Sequence, residues 1–238
     1  MRSEIVAVRV AGETWTAWER VMIRASFKEA ARSFELKIAA ERGGEQTAAM
    51  FAMFAPVEIR SIAAVNELPL RAGDAGDLVL AGHIDKRAPS FDADSAEMAI
   101  SGRSKGADAV DCSAKHKTGS FKKKTPVEIA KEIAPKGVTF ATDIDLEAVD
   151  YHLTPGETSF AAVEKLARAQ GATLAGQADG SIRITNASTT RKKHAGGLFE
   201  GRNIKSGSAS HDGSNRHSEV RVVGQKALGT GADALRVE

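Results

Sequence analysis

The sequence predicts a β-rich α+β fold, and three observations lead to this prediction. Short segments in which apolar and polar residues alternate fill the first 103 residues, without alternation of strands and helices. Two amphipathic helices with clear start and stop signals follow between residues 125 and 171. Alternating segments return after Thr189. We therefore expect a β-sandwich or small barrel, then a small α/β module, then further strands.

The first region contains several strand patterns with a period of two residues. EIVAVRV (4–10) places three valines on one face of a first strand. A second strand is predicted from Trp15 to Ala25. The clearest pattern spans residues 33–38, where Phe, Leu and Ile alternate with Ser, Glu and Lys. A fourth strand is predicted at residues 57–60.

The stretch 79–113 joins the first two regions. It predicts two strands connected by a polar loop and followed by a short helix from Lys105 to Cys112. Gly102 is expected to end the second of these strands. Asp85, Arg103, Asp108 and Cys112 are interpreted as packing and loop-anchoring groups.

The middle region has strong helix signals. Thr125 is a good N-cap, Pro126 occupies the first helical position, and Glu128 can complete a capping box. Pro135 ends that helix. A second helix follows TPGE (154–157), and ATLAGQADGSIRIT (172–185) predicts a β-hairpin around its Asp-Gly pair.

The last region begins with RKKHAGG (191–197), which predicts a flexible basic linker. Residues 198–210 and 220–224 predict strands separated by a polar loop. Two or three strands cannot bury a core alone. They must join the first domain, pair with a partner, or belong to a domain that is incomplete here.

Composition limits the class of protein. The chain has 238 residues, of which 42% are hydrophobic and 27% charged, as in globular proteins with a buried core. The formal net charge of +2 is too small to indicate a dedicated nucleic-acid-binding protein. The one cysteine, Cys112, excludes a disulfide framework and is expected to be buried. The segment MRSEIVAVRV resembles no signal peptide, so we expect folding in the cytoplasm without a cleaved leader.

Motifs that would indicate catalysis or cofactor binding are not found. The sequence has no Gly-rich phosphate loop, no G-x-S-x-G elbow and no H-E-x-x-H helix. The six histidines are scattered, and His211 and His217 are interpreted as solvated loop residues. We therefore expect neither a metal nor a cofactor.

Two pairs of carboxylates are spaced so that they could act as acid–base groups. Asp92 and Asp94, and likewise Asp143 and Asp145, are spaced two apart in predicted turns or strands. Turn formation and solvation explain aspartate at such positions. No catalytic residue is assigned, and the protein is not expected to be an enzyme.

The best candidate for a functional surface is the basic segment 113–124, predicted to be a loop. Its lysines are Lys115, Lys117, Lys122, Lys123 and Lys124. A solvated loop, contact with an acidic protein surface and contact with a nucleic-acid backbone are the three interpretations. Phe121 is the one aromatic residue available there for base stacking, which disfavours the last. The next segment, 138–160, is acidic, so the two blocks could pair within the chain or between subunits.

The joining stretch also carries a family signal. GHIDKR (82–87), followed by AISGRSKGADAVDCSA (99–114), resembles the baseplate hub proteins of contractile-tailed phages of the phage Mu type. That family includes late control protein D and is related to the spike-hub proteins of type VI secretion. Its pattern is a G-x-I-D strand, a strand ending in S/T-G-R-D/S-K and a short helix with A-D-x-x-D-C-S. Four further segments fit the family in order: TPVEIAKEIAPKGV (125–138), LTPGETSFAAVEKLARAQGATL (153–174), ADGSIRIT (178–185) and NRHSEVRVVGQ (215–225).

The resemblance implies a trimeric hub whose chains each carry two tube-like β-barrel domains. Three chains then form a pseudo-sixfold ring that adapts the sixfold tail tube to the threefold central spike and lets DNA pass. On this sequence, residues 1–112 correspond to the first barrel, 113–190 to a small α/β domain, and 191–238 to the strands of a second, incomplete barrel. The family's chains usually continue well past residue 238.

The resemblance also implies partners and a location. The partners are two further copies of the chain, the tail tube protein, the central spike protein, baseplate wedge proteins and the tape measure protein, with transient passage of DNA and no membrane insertion. The location is the virion tail baseplate, assembled in the host cytoplasm. The alternative is a hub of a tailocin, gene transfer agent or type VI-like secretion spike. A second alternative, a baseplate-associated cell-wall hydrolase, is disfavoured because no catalytic motif is found.

Overall fold

The computed structural model describes residues 4–10, 12–15, 18–26, 29–39, 49, 51–63, 76–92 and 95–186, with isolated positions between 201 and 221. The chain divides into two compact units, residues 1–191 and residues 192–238. The larger unit contains a β-sheet followed by an α/β module, which confirms the predicted β-rich α+β class.

Seven strands form one antiparallel sheet. They are β1 (Glu4–Val10), β2 (Glu13–Trp15), β3 (Arg20–Arg24), β4 (Ser33–Ala39), β5 (Pro56–Ala63), β6 (Asp77–Phe91) and β7 (Ala96–Ser104). Their order across the sheet is β2-β1-β5-β6-β7-β4-β3. The two strands predicted in the joining stretch are confirmed as β6 and β7.

The single strand predicted from Trp15 to Ala25 was wrong. The segment forms β2 and β3, which lie at opposite edges of the sheet. Between them, Trp18 Nε1 donates a hydrogen bond to Val6 O (3.0 Å), and Glu19 N donates to Lys37 O (2.8 Å). Two adjacent residues thus touch β1 on one side and β4 on the other. The sheet must therefore curl, because a flat sheet would hold these strands far apart.

One face of the curled sheet carries its apolar core. Alternate residues of β4 and β7 are buried, as the period-2 pattern predicts. The core consists of Val8, Val10, Phe34, Leu36, Ile38, Phe51, Val57, Ile59, Leu80, Ile84, Met98 and Ile100. Trp18 and Val21 are half-buried against it.

A strained turn precedes β5. Ala55 N donates to Ala52 O (3.1 Å), which closes a β-turn whose central residues are Met53 and Phe54. Phe54 has a φ of 63°, the left-handed conformation that a type II turn normally assigns to glycine. This conformation costs a residue with a side chain about 1–2 kcal/mol. Phe54 N donates to Ile84 O (2.9 Å), so the turn is held against β6.

The strand end predicted at Gly102 was also wrong, because β7 continues two residues beyond it. A Cβ atom at Gly102 would lie 2.0 Å from His83 O and 2.7 Å from the Phe34 ring. The β6–β7 register shifts between Ile84 and Lys86, next to this contact. Glycine is therefore needed here for the close approach of β6 and the core phenylalanine.

Residues 105–186 form the α/β module. Its helices are α1 (Ala107–Asp111), α2 (Pro126–Ile133) and α3 (Ser159–Ala169). Its strands are β8 (Ser120–Lys124), β9 (Phe140–Thr142), β10 (Val149–His152), β11 (Thr173–Gly176) and β12 (Ile182–Thr185). β8 pairs with β10 and β11 with β12, both antiparallel, and β12 pairs with β9 in parallel. The three helices and the hairpin were predicted, whereas β10 was not.

The helix ends follow local sequence chemistry. Thr125 Oγ1 accepts a hydrogen bond from Glu128 N (3.4 Å), and Thr125 N donates to Glu128 Oε2 (2.8 Å). This is the predicted capping box, with Pro126 in the first turn. The side chain of Thr158 caps α3. Gly171, with a φ of 69°, turns the chain after that helix.

The module has its own core beneath α2 and α3. Its buried residues are Ala30, Ala109, Phe121, Ile129, Ala130, Ile133, Val138, Phe140, Tyr151, Ala162, Val163, Leu166, Ala167, Ala172, Leu174, Ile182 and Ile184. All but Ala30 belong to the module. Ala30 belongs to the sheet region, so the two parts of the larger unit share buried surface.

Backbone contacts join the sheet to the module. Ala81 N on β6 donates to Ala178 O (2.7 Å), and Gly176 N donates to Glu29 O (3.2 Å). A Cβ atom at Gly176 would lie 2.3 Å from Ala30 O. The main chains thus meet at a distance that a side chain would prevent.

The linker and strands predicted beyond residue 190 fall almost entirely outside the described residues. Among the helices that the structure describes, none combines the length and apolar character needed to cross a membrane.

Replacing Gly102 by Ala should destabilise the protein by roughly 1–3 kcal/mol, because the added methyl group overlaps His83 O and the Phe34 ring. Urea unfolding followed by circular dichroism measures the change. Ser101→Ala, which alters the neighbouring residue of the same strand, should shift stability by no more than about 0.5 kcal/mol. Equal midpoints for Gly102→Ala and the unaltered protein would show that β6 can move away without cost.

Candidate functional site

The basic segment 113–124 is a loop only in its first half. Residues 120–124 form β8, and the expectation of a loop there was wrong because Phe121 belongs to the core. Phe121 is 1% exposed, and its ring lies 4.4 Å from His116 and 6.4 Å from Tyr151, centroid to centroid. Pairing with β10 gives the backbone beside this buried ring the hydrogen-bond partners that water supplies in a solvated loop.

The β8–β10 ladder contains a β-bulge. Two residues of β8, Lys122 and Lys123, stand opposite the single residue Asp150 of β10. In a regular strand, Lys123 would lie on the same face as the buried Phe121. The bulge turns it outward, and both lysines are exposed.

The bulge is held by a specific contact. Lys123 has a φ of 50°, a left-handed conformation that costs about 1–2 kcal/mol for a residue with a side chain. Lys123 N donates a hydrogen bond to Asp150 Oδ1 at 2.7 Å. A charged acceptor strengthens such a bond and offsets part of the cost. The strand thereby presents two adjacent cations to solvent.

The five candidate lysines fall into two groups. Lys124 forms an ion pair with Glu132, and its Nζ lies 5.8 Å from the centroid of the Phe121 ring. Its charge is therefore used within the module. The remaining lysines are exposed and form no ion pair with any residue that the structure describes: Lys115, Lys117, Lys122 and Lys123. We call these four the basic surface.

The acidic segment meets the basic segment through its β10 part, which pairs with β8. Asp143, Asp145 and Glu147 are exposed, and they alternate with Ile144 and Leu146, which pack on the module's core. Throughout residues 113–160, all of which are described, no ion pair links a side chain of the basic segment with one of segment 138–160. The backbones pair within the chain, and the four lysines of the basic surface form no ion pair with a residue that the structure describes.

Of the other candidate carboxylates, Asp92 has the turn-forming role expected for it, whereas Asp143 bonds to a residue far along the chain. Asp92 accepts hydrogen bonds from Ser95 N (2.6 Å) and Ser95 Oγ (3.0 Å). Asp143 Oδ2 accepts one from Thr185 Oγ1 (3.3 Å). Asp94 lies outside the described residues.

No metal centre is formed by the described part of the chain, which lacks any cluster of three or more His, Cys, Asp and Glu side chains. His211 and His217 lie outside that part. Cys112 was expected to be buried, and this was wrong. It follows the last residue of α1 as the C-cap, where the chain turns extended and its side chain faces solvent.

The joining stretch is fixed by one arginine. Arg103 Nε donates to Asp85 Oδ2 (2.7 Å), while its Nη2 and Nη1 donate to the two oxygens of Asp111 (2.7 and 3.3 Å). The hydrogen bonds to Asp111 raise the pKa of Arg103 above its ordinary value, and the bond to Asp85 makes the next largest contribution. β6, β7 and α1 are thereby tied at one point, which confirms the anchoring role expected for Asp85 and Arg103.

A second polar contact supports β10. Tyr151 OH donates to Glu157 Oε2 (2.6 Å), Thr154 N donates to the same oxygen (3.1 Å), and Lys165 Nζ lies 3.6 Å from Oε1. Burial raises the pKa of Glu157, but the hydrogen bonds from Tyr151 and Thr154 and the charge of Lys165 outweigh it, so this pKa lies below its ordinary value. Burial raises the pKa of Tyr151, and the hydrogen bond to Glu157 raises it further. This contact was not predicted, because it depends on β10.

Comparison with known proteins assigns both parts of the larger unit. Residues 5–104 match the family described as Mu phage baseplate assembly protein GpP-like, N-terminal. Residues 106–186 match the second domain of the family described as baseplate hub protein gp44-like. Baseplate hub protein gp44 of Escherichia phage Mu is 29% identical over 228 residues, which cover 93% of this chain and 55% of that protein.

Two solved structures share the fold. A 43 kDa tail protein of prophage MuSo2 from Shewanella oneidensis has a TM-score of 0.65 and 23% identity, over 77% of this chain and 53% of that one. A tail protein from Neisseria meningitidis MC58 has a TM-score of 0.59 and 24% identity, over 76% and 50%. The chain spans about half the length of these relatives.

Acid should weaken the fold through Glu157. Because its pKa in the folded state is lowered, the carboxylate stabilises the fold above its unfolded-state pKa of about 4.3, and this contribution is lost as pH falls through the folded pKa. Glu157→Gln should lower the free energy of unfolding by about 1 kcal/mol at pH 7. Below about pH 4, the free energy of unfolding of this variant should fall less steeply with pH than that of the unaltered protein. Urea midpoints at pH 7, 5, 4 and 3 measure both effects. Glu164→Gln, on the exposed side of α3, is the control, and parallel curves for Glu157→Gln and the unaltered protein would contradict the assignment.

Proposed function

Because this chain belongs to the baseplate hub proteins of the phage Mu type, we propose that it forms a homotrimeric ring between the tail tube and the central spike of a contractile phage tail. The chain is a tail structural protein of the virion baseplate. The trimer, the adaptor role and the passage of DNA through the bore are our proposal.

The observation that carries the proposal is the order of two family domains on one chain. A domain of the baseplate assembly type at residues 5–104 is followed directly by the second domain of a baseplate hub protein at 106–186. The similarity to the phage Mu hub protein extends over nearly the whole chain.

Symmetry supports a chain with two barrel-like domains. A threefold spike can meet a sixfold tube if each of three chains supplies two similar domains, since closed rings need repeated contacts of one kind. We assign residues 1–112 to the first tube-like barrel, 113–190 to the α/β domain and 191–238 to strands of a second barrel. The tube, spike, wedge and tape measure proteins are the partners that such a ring would meet.

The basic surface is proposed to dock on an acidic surface of a neighbouring baseplate protein. Lys122 and Lys123 are held outward by a strained bulge and lack ion pairs within the described chain. Exposed charges of this kind steer association and set orientation more than they add affinity. The module offers no exposed aromatic beside them for base stacking, since Phe121 is buried.

The ring is tested by measuring the mass of the purified chain in solution. Light scattering coupled to size exclusion at micromolar concentration should give three times the 25.1 kDa of one chain. Class-averaged electron micrographs viewed end-on should show threefold or pseudo-sixfold symmetry around a bore. A monodisperse monomer would overturn the hub proposal.

The docking role is tested by reversing charge at the bulge. Lys122→Glu combined with Lys123→Glu should leave the unfolding midpoint nearly unchanged, within about 0.5 kcal/mol, because both side chains are exposed. The fraction of the chain that cosediments with assembled tails should fall. Lys131→Glu combined with Lys136→Glu makes the same change of charge elsewhere on the module and should cosediment normally. Equal cosedimentation of both variants would leave the basic surface as a solvated face.

A further inference from the structure

The turn that precedes β5 exposes two large apolar side chains. Phe54 is 74% exposed and Met53 is 43% exposed, whereas Phe51 just before them is fully buried in the sheet's core. Phe54 holds the left-handed position at which glycine would be unstrained. An exposed phenyl ring at a strained position weakens the folded chain by itself, so the turn points to a contact with another molecule. We call Met53 and Phe54 the knob.

A groove lies on the face of the sheet opposite the core. It has a volume of about 390 Å³ and runs across β3, β4, β7 and β6. Its lining includes the apolar side chains Met22, Ala88 and Ala99, the carboxylate Glu35 and the ion-paired Lys37. Two further cations, Arg20 and Lys86, also line it. Neither of these cations forms an ion pair with a residue that the structure describes.

The knob and the groove match in size and chemistry. Pockets above about 300 Å³ accept small ligands, so the groove has room for a phenyl ring and a thioether. The alanine side chains that line it are small, and its cations can lie over the face of an aromatic ring. Aromatic residues and methionine are also enriched at the buried centres of protein interfaces.

Phe54 does not enter the groove of its own chain. Phe54 is bonded through its backbone to Ile84, and the groove residues Lys86 and Ala88 lie further along the same strand. The exposure of Phe54 shows that its ring is in solvent instead. A second copy of the chain carries the same knob and can supply it.

We propose that the knob of one copy inserts into the groove of the next copy. The contact is heterologous, since two different surfaces meet, and repetition of such a contact closes a ring. The inference rests on the proposed homotrimer and names the residues through which its copies associate.

Phe54→Gly separates the knob's contribution to association from its effect on folding. Glycine relieves the left-handed strain, so the unfolding midpoint of the monomer, measured at a concentration below the dissociation constant, should stay equal or rise. The dissociation constant of the trimer should rise at least about tenfold. Phe54→Asn, which also tolerates this conformation, should behave in the same way. Sedimentation equilibrium measures association, and urea unfolding measures stability.

The outcomes distinguish the two proposals. If the unaltered chain is a monomer, the trimer fails and this inference fails with it. If the unaltered chain is a trimer and Phe54→Gly forms that trimer with the same dissociation constant, the proposed contact between knob and groove is overturned. The hub proposal then still stands.

Crosslinking tests the acceptor. In a Cys112→Ser background, one preparation carries Phe54→Cys and a second carries Ala99→Cys. Mixing them under mild oxidation should give a disulfide between the two chains. Phe54→Cys mixed with Thr14→Cys, on β2 at an edge of the sheet, is the control and should give little product. Equal yields from the two mixtures would overturn the assignment of the groove.

Discussion

The close contact of main chains between the sheet and the α/β module is the constraint on which the larger unit depends. Cβ atoms at Gly176 and Gly106 would lie 2.3 and 2.6 Å from Ala30 O, and one at Gly180 would lie 3.1 Å from Ala81 O on β6. The module can approach the sheet this closely only because its residues at these points lack side chains. Sheet and module are thus held as one piece by backbone hydrogen bonds and shared burial, and each needs the other to cover its surface.

This constraint explains why the most specific sequence motif lies at the join. Arg103 is the arginine of the S/T-G-R-D/S-K pattern, Asp85 the aspartate of G-x-I-D, and Asp111 belongs to the short helix that follows. The three residues meet in one set of hydrogen bonds between β6, β7 and α1. The motif therefore encodes the orientation of the two parts rather than a catalytic site. A fixed orientation is also what the proposed ring requires, because its contacts must repeat from copy to copy.

Sequence patterns predicted the structure correctly where it depends on residues close together in the chain. The capping box at Thr125, the alternation in β4 and the Asp-Gly hairpin all depend on residues within a few positions of each other. The wrong predictions concern residues whose structure depends on contacts distant in the sequence. The split of residues 15–25 depends on contacts with β1 and β4, and the exposure of Cys112 depends on how α1 ends against the join. The predicted strand end at Gly102 relied on the tendency of glycine to interrupt strands. Its role is instead set by close contact with the Phe34 ring, sixty-eight positions away.

Left-handed backbone at residues with side chains occurs at two places in the described chain, Phe54 and Lys123. Both residues are exposed, and each lies in a surface for which an intermolecular contact is proposed. Neither position needs its side chain for folding, since glycine would adopt the same backbone without strain. Strain that the fold itself does not require is most simply explained by a use outside the isolated chain. The sequence could not identify these two residues, because neither Phe54 nor Lys123 has neighbours that indicate a positive φ. The positive φ of Phe54 follows from a turn held against Ile84, and that of Lys123 from a bulge held by Asp150.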